Sequence, residues 1–254
     1  MAEARKIFLQ VAMKVEAEPL LSALVAVRIA PDWCPGLPFE FYQANHRGLE
    51  ITFGLPGNDP VHSFDSIGSV PAGLLAYLGI THLQPDLVLN AGTCGGFHSL
   101  HHRISEVFIG TRFVAFHHRR SSIPAMQNYG FGKYPVANSA ELRNALKLSE
   151  GIVSSGDALD YSDDDRVYMK QSGATLKEME AAAIGWACHF FGTPLLLVKS
   201  VTDLVDHPDD TASQFLRNYA RAADTLKIEV LRILDYLAEN SSDPVWNHSA
   251  ISDT

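Results

Sequence analysis

Three short runs of almost uninterrupted apolar residues constrain this chain more than any other feature. They are Ile7-Phe-Leu-Gln-Val-Ala12, Asp86-Leu-Val-Leu-Asn-Ala-Gly92 and Thr193-Pro-Leu-Leu-Leu-Val-Lys-Ser200. A strand with one face in water alternates apolar and polar residues, so runs apolar on both faces belong to a sheet covered on both sides. Helical stretches lie between them. Leu20, Leu21, Leu24 and Val25 share one face after the first run, Ile67, Val70, Leu74, Leu75 and Leu78 fall in a helix over 66–79, and a further helix spans 180–191. Phe215, Tyr219, Ala222, Ala223, Leu226, Val230, Ile233, Leu234 and Leu237 recur at spacings of one buried helical stripe. A hairpin around Asn45-His-Arg-Gly48 and strand regions over 104–116 and 151–156 complete the alternation. The pattern predicts an α/β protein, a three-layer α/β/α sandwich around a central mixed sheet.

No repeat, charge run or low-complexity stretch divides the 254 residues, which predicts one domain over 1–240 and a disordered tail over 241–254. The apolar share of 46% is ample for a core. A net charge of −9 disfavours a nucleic-acid surface, which needs Lys and Arg to neutralise phosphates. No apolar run reaches the roughly 18 residues that span a bilayer, and the N-terminus lacks a secretory core. Cys34, Cys94 and Cys188 are too few and too scattered for a disulfide framework. His98, His101, His102, His117 and His118 match no common zinc spacing. These features describe a cytoplasmic protein without metal or cofactor.

In open α/β sheets ligands sit beyond the carboxyl ends of strands, so the residues there carry the candidate chemistry. The first run ends in Ala12-Met-Lys-Val-Glu16, the second in Asn90-Ala-Gly-Thr-Cys-Gly-Gly-Phe97 and the last in Ser200-Val-Thr-Asp-Leu-Val-Asp206. Lys177-Glu178-Met179-Glu180 stands where a helix begins. The glycine-rich stretch allows close approach of backbone N–H groups to a ligand, but its spacing is neither that of a dinucleotide fingerprint nor that of a P-loop. Each acidic residue also has a plain structural reading: Asp203 as a helix N-cap, Glu180 as a first-turn carboxylate, and Glu16, like nearby Glu18, as a solvated helix residue. Their convergence on one edge of the sheet favours a site.

Together with Asp65-Ser-Ile-Gly-Ser-Val-Pro-Ala72, Ser155-Gly-Asp157, Glu178-Met-Glu-Ala-Ala-Ala183 and Lys199-Ser-Val-Thr-Asp-Leu-Val-Asp206, these segments resemble the 5′-methylthioadenosine/S-adenosylhomocysteine nucleosidases of the nucleoside phosphorylase superfamily, most closely the plant-type enzymes. The resemblance runs from about Ile7 to Leu237. It implies a homodimeric, metal-independent enzyme that acts on a small nucleoside, with no nucleic-acid or membrane partner. By the same resemblance Glu16 activates the attacking water and Asp203 protonates adenine. Glu180 holds the ribose hydroxyls, Met179 lies against the sugar, and Lys177 and Glu178 belong to the same substrate-binding segment. Thr93 meets the nucleoside from the glycine-rich loop, and Leu159 falls in the adenine loop. Two stretches depart from the plant-type pattern: His118 stands where an acidic residue is usual, and the loop over 56–64 is altered.

These residue types suit the reaction. Adenine leaves more easily when protonated, which a buried Asp with a raised pKa can supply. The ribosyl centre becomes cationic and is stabilised by nearby carboxylates. The competing expectation is a purine nucleoside phosphorylase, which needs cations to hold phosphate. Its microbial forms often lead the glycine loop with arginine, where this chain carries Asn90. A nucleoside-binding protein without catalysis would have no use for Glu16, Glu180 and Asp203 together.

Overall fold

The apolar run over 7–12 becomes an inner strand because both of its faces are covered. A computed structural model describes residues 4–248. In chain order the elements are β1 (Lys6–Gln10), α1 (Lys14–Ala23), β2 (Val27–Ile29), β3 (Glu40–His46), β4 (Leu49–Leu55), α2 (Ser69–Leu83), β5 (Leu87–Gly96), β6 (Val107–Phe116), α3 (Gln127–Phe131), β7 (Tyr134–Pro135), α4 (Ala140–Leu146), β8 (Ser149–Ser155), α5 (Asp163–Ser172), β9 (Leu176–Glu178), α6 (Ala181–Phe191), β10 (Leu195–Leu204) and α7 (Thr211–Glu239).

The strands form one mixed sheet in the order β10-β6-β8-β9-β5-β1-β4-β3-β2, with β7 on β6. The central pairs β4–β1, β1–β5 and β5–β10 are parallel, whereas the β3–β4 hairpin and the β10–β6 pair are antiparallel. Because β10 pairs with β5 as well as β6, the strands β5, β9, β8, β6 and β10 close into a ring. An open-sheet reading of the sequence does not anticipate that closure.

The two-residue period of the strands sorts their side chains into two cores. Ile7, Leu9, Leu87, Leu89, Leu196 and Val198 meet Leu20 of α1 and Leu226, Val230, Ile233 and Leu234 of α7. Their alternates Phe8, Val88, Leu195 and Leu197 meet Leu75 and Ile80 of α2 and Ala182, Ile184 and Cys188 of α6. Each large apolar side chain buried this way contributes about 1.5–3 kcal/mol.

Several boundaries differ from the sequence reading. The second helix begins at Ser69 because Gly68, at φ 100°, breaks the helical path. The sixth begins at Ala181, with Glu180 as its N-cap residue. Val25 is exposed rather than packed beside Leu20, since α1 ends at Ala23 and Val25 adopts φ 50°. The tail expected from 241 is partly structured: Pro244–Trp246 forms a short 3-10 turn that buries Val245 and Trp246 against the α7 core. Arg5 lies 5.1 Å over the Trp246 ring, and the indole N–H donates to the Asn240 carbonyl at 3.1 Å. Residues 249–254 of the expected tail lie outside the described residues.

Candidate active site

Beyond the ends of β5, β9 and β10, where α1 and α6 begin, lies a cavity of about 270 Å³. That volume falls just below the roughly 300–1,000 Å³ typical of small-molecule sites. The structure brings Glu16, Thr93, Leu159, Lys177, Glu178, Met179, Glu180 and Asp203 to its wall, although they come from five separate segments of the chain.

Glu16 sits in the first turn of α1, where the helix N-terminus favours a carboxylate. Its Oε1 accepts bonds from the Thr93 N–H at 2.7 Å and the Thr93 hydroxyl at 2.6 Å, and its Oε2 accepts the Met13 N–H at 3.3 Å. Thr93 therefore orients Glu16, a task its place in the loop did not reveal. Burial raises the Glu16 pKa; the Thr93 bonds and the Lys199 charge oppose that rise.

Asp203 reaches the cavity through a β-bulge. On β10, Val201 pairs with Cys94 of β5, and the next pair is Asp203 with Gly95, leaving Thr202 as the extra residue. Bulges of this kind re-aim side chains beside functional sites. The fit is close: a Cβ at Gly95 would stand 2.6 Å from Val205 and 2.9 Å from Asp203 Oδ2, so no larger residue fits. Burial raises the Asp203 pKa against the Thr202 hydroxyl bond of 2.7 Å and the Lys177 charge. Glu16 flanks Gly92 and Asp203 flanks Gly95. Gly92 and Gly95 stand three positions apart along β5, about 10 Å of extended strand.

Between them lies a buried charge cluster. Lys199 Nζ donates to Glu178 Oε2 at 2.9 Å, with both side chains only 2% exposed. That oxygen also accepts the Glu180 N–H at 3.1 Å and the Ala181 N–H at 2.9 Å, while Oε1 accepts the Ser155 hydroxyl. Both Glu178 oxygens are thus committed, Oε1 to Ser155 and Oε2 to Lys199 and the start of α6, which leaves the carboxyl a structural task. Burial works to raise its pKa, but Lys199, Ser155 and the backbone together hold it below its ordinary value. For Glu180, burial and then the Glu178 charge prevail, and its pKa is pushed up to about 8. Its Oε1 accepts the Gly68 N–H at 2.8 Å.

Lys177 turns its ammonium onto the carbonyls of Ala158 at 2.6 Å and Leu159 at 2.7 Å, fixing the loop that carries Leu159. Met13, Phe64, Ile67 and Phe215 form an apolar stretch of the wall. The sequence reading singled out none of these four for the site. Phe215 belongs to the apolar stripe of α7, and only the packing shows that this residue lines the cavity. Lys199 was also passed over, although a lysine inside the most apolar strand must find a buried partner. Among the described residues, no group of three or more His, Cys, Asp or Glu side chains is placed to hold a metal ion. No described helix is long and apolar enough to cross a membrane.

Residues 6–235 match the phosphorylase superfamily. The chain is 36% identical to an Arabidopsis thaliana protein named 5′-methylthioadenosine nucleosidase, over 92% of this chain and 88% of that one. It is 34% identical, over 90% of each chain, to an A. thaliana protein named 5′-methylthioadenosine/S-adenosylhomocysteine nucleosidase. The solved apo structure of A. thaliana 5′-methylthioadenosine nucleosidase superposes with a TM-score of 0.89 at 33% identity, covering 99% of both chains.

Proposed function

The chain belongs to the phosphorylase superfamily, in its 5′-methylthioadenosine nucleosidase family, and on that footing we propose that it hydrolyses the N-glycosidic bond of 5′-methylthioadenosine to adenine and 5′-methylthioribose. The observation that carries the proposal is the meeting of Glu16, Glu180 and Asp203 in one cavity, with Glu16 beside Gly92 and Asp203 beside Gly95.

In this reading Asp203, whose pKa burial raises, gives a proton to adenine N7 as the C1′–N9 bond breaks and its electron pair passes to the purine. The ribosyl centre left behind is cationic, and the carboxylates around it stabilise that charge. Glu16, made more basic by burial, takes a proton from the water whose oxygen joins C1′. Glu180 receives the ribose hydroxyls, Met179 packs on the sugar, Thr93 orients Glu16, and Lys177 steadies the Leu159 loop against the adenine. Apolar contact with Met13, Ile67 and Phe215 suits the methylthio group.

Phosphate has no evident seat. Asn90 occupies the lead position of the glycine loop, and the lining cations Lys177 and Lys199 are already engaged with carbonyls and with Glu178. Incubation with 5′-methylthioadenosine, with and without phosphate, tests the reading: adenine and free 5′-methylthioribose should form at equal rates. Phosphate dependence and a sugar 1-phosphate product would overturn it. The same assay with S-adenosylhomocysteine decides whether the longer 5′ chain is accepted, as the name of one relative states for that protein.

We also read the protein as a cytoplasmic homodimer. Its three cysteines are free thiols, as a reducing compartment favours. Val70, Leu74 and Tyr77 of α2 and Trp186, Phe190 and Phe191 of α6 form an exposed apolar face, bridged by Tyr77 and Phe191 at 5.8 Å. Contiguous apolar surface of this kind suits a second copy. The helices α1 and α7 against one core and α2 and α6 against the other are consistent with the outer layers of a three-layer sandwich.

A further inference from the structure

The Ser155-Gly-Asp157 segment takes no part in the steps above, yet Asp157 makes two short bonds to Ser69, the first residue of the helix that follows the cavity-lining Ile67. That helix, α2, starts without a side-chain cap of its own and without an acidic residue in its first turn. Its leading N–H groups need acceptors from elsewhere. Gly68 N–H donates to Glu180 Oε1 at 2.8 Å, and Ser69 N–H donates to Asp157 Oδ1 at 2.6 Å. The Ser69 hydroxyl donates to Asp157 Oδ2 at 2.6 Å. Two successive amides are therefore held by two carboxylates that lie far apart in the chain.

The geometry leaves little slack. Gly68 adopts φ +100°, a conformation other residues rarely adopt, and a Cβ there would stand 3.0 Å from Asp157 Oδ1. Asp157 is itself pinned on both sides: Gly156 N–H donates to the Glu178 carbonyl at 3.0 Å, and Lys177 holds the carbonyls of Ala158 and Leu159. The place of the Gly68 amide is thus set from the Asp157 loop.

We infer that Asp157 is a positioning residue: by clamping Ser69 it keeps the Gly68 N–H on Glu180 and so fixes the orientation in which Glu180 meets the ribose. The inference rests on the reading of Glu180 as the ribose carboxylate. A hydrogen bond to a carboxylate also favours its ionised form. Loss of the clamp therefore makes Glu180, which faces Glu178, Lys199 and Glu16, harder to ionise. Asp157 itself faces His118, whose Nε2 lies 3.6 Å away.

Asp157→Ala, Asp157→Asn and Glu180→Gln in the full chain test this. Hydrogen exchange is followed over residues 66–72, and kcat/KM for 5′-methylthioadenosine is followed against pH. Asp157→Ala should speed exchange at the start of α2, lower kcat/KM roughly 10- to 100-fold and move the acidic limb of the profile to higher pH. Asp157→Asn, which retains an acceptor for the Ser69 N–H, should fall between it and the wild type. Unchanged exchange and an unmoved limb in Asp157→Ala overturn the inference, as does a loss of rate accompanied by faster exchange throughout the chain. A wild-type rate in Glu180→Gln instead removes the ribose reading, and the catalytic part of this inference with it. The exchange data then still report whether Asp157 holds α2.

Discussion

Glu16 and Asp203 are both carboxylic acids pushed up by burial, yet the proposed reaction asks opposite things of them. Glu16 must be ionised to take a proton, so together with Glu180 it contributes to the fall of kcat/KM on the acidic side. Asp203 must be protonated, so the rate should also fall as pH rises past its own pKa. Asp203→Asn should lower kcat roughly 10²- to 10⁴-fold and remove the alkaline limb, while calorimetry finds substrate binding largely intact; a near-wild-type rate refutes the acid role. Glu180 adds a stability effect of defined sign. Its folded pKa of about 8 lies above the ordinary 4.5, so its contribution is full at low pH and is lost as pH rises towards 8. The melting temperature should decline between about pH 4.5 and pH 8, and Glu180→Gln should flatten that decline. These three acids were legible in the sequence because strand exits and helix starts are where polar residues converge. The duty of Thr93 was not, since its bond to Glu16 joins segments 77 residues apart.

The elements most readily read were those with strong period: β1, β5, β10 and α7. Weak pattern hid the short ones. The α5 helix, Asp163–Ser172, buries a single apolar side chain, Met169, so no apolar stripe marked it and only the Ser162–Asp165 capping box and the Gly173 cap signalled it. The segment after α7 was misread for a related reason. Ser-Ser-Asp-Pro has the composition of a loop, and the packing of Val245 and Trp246 depends on a groove that only the folded α7 provides. Trp246 is 6% exposed, so Trp246→Ala should cost about 3–5 kcal/mol in urea unfolding. A cost below about 1 kcal/mol would mean that the segment does not pack as described.

At the scale of the whole molecule, the exposed face of α2 and α6 is tied to the cavity, since Gly68, the N-cap residue of α2, bonds Glu180. Val70, at its second position, is 79% exposed. In the dimer reading, Val70→Glu together with Phe190→Glu should give a monomer by light scattering and lower activity. A variant pair that keeps the wild-type mass would sink that arrangement.

The sequence by itself determined the α/β class, the mixed sheet and the acids at its edge, because burial on two faces and polar strand exits leave local patterns. The tertiary structure alone decided the closure of β10 onto β5, the bulge that aims Asp203 and the bonds from Thr93, Gly68 and Ser69 to distant carboxylates. It also decided that Phe215 faces a cavity and Trp246 a core. The physical reason is common to all of them: each depends on contacts between segments far apart in the chain, and hydrophobic periodicity records only whether a residue is buried, never against what.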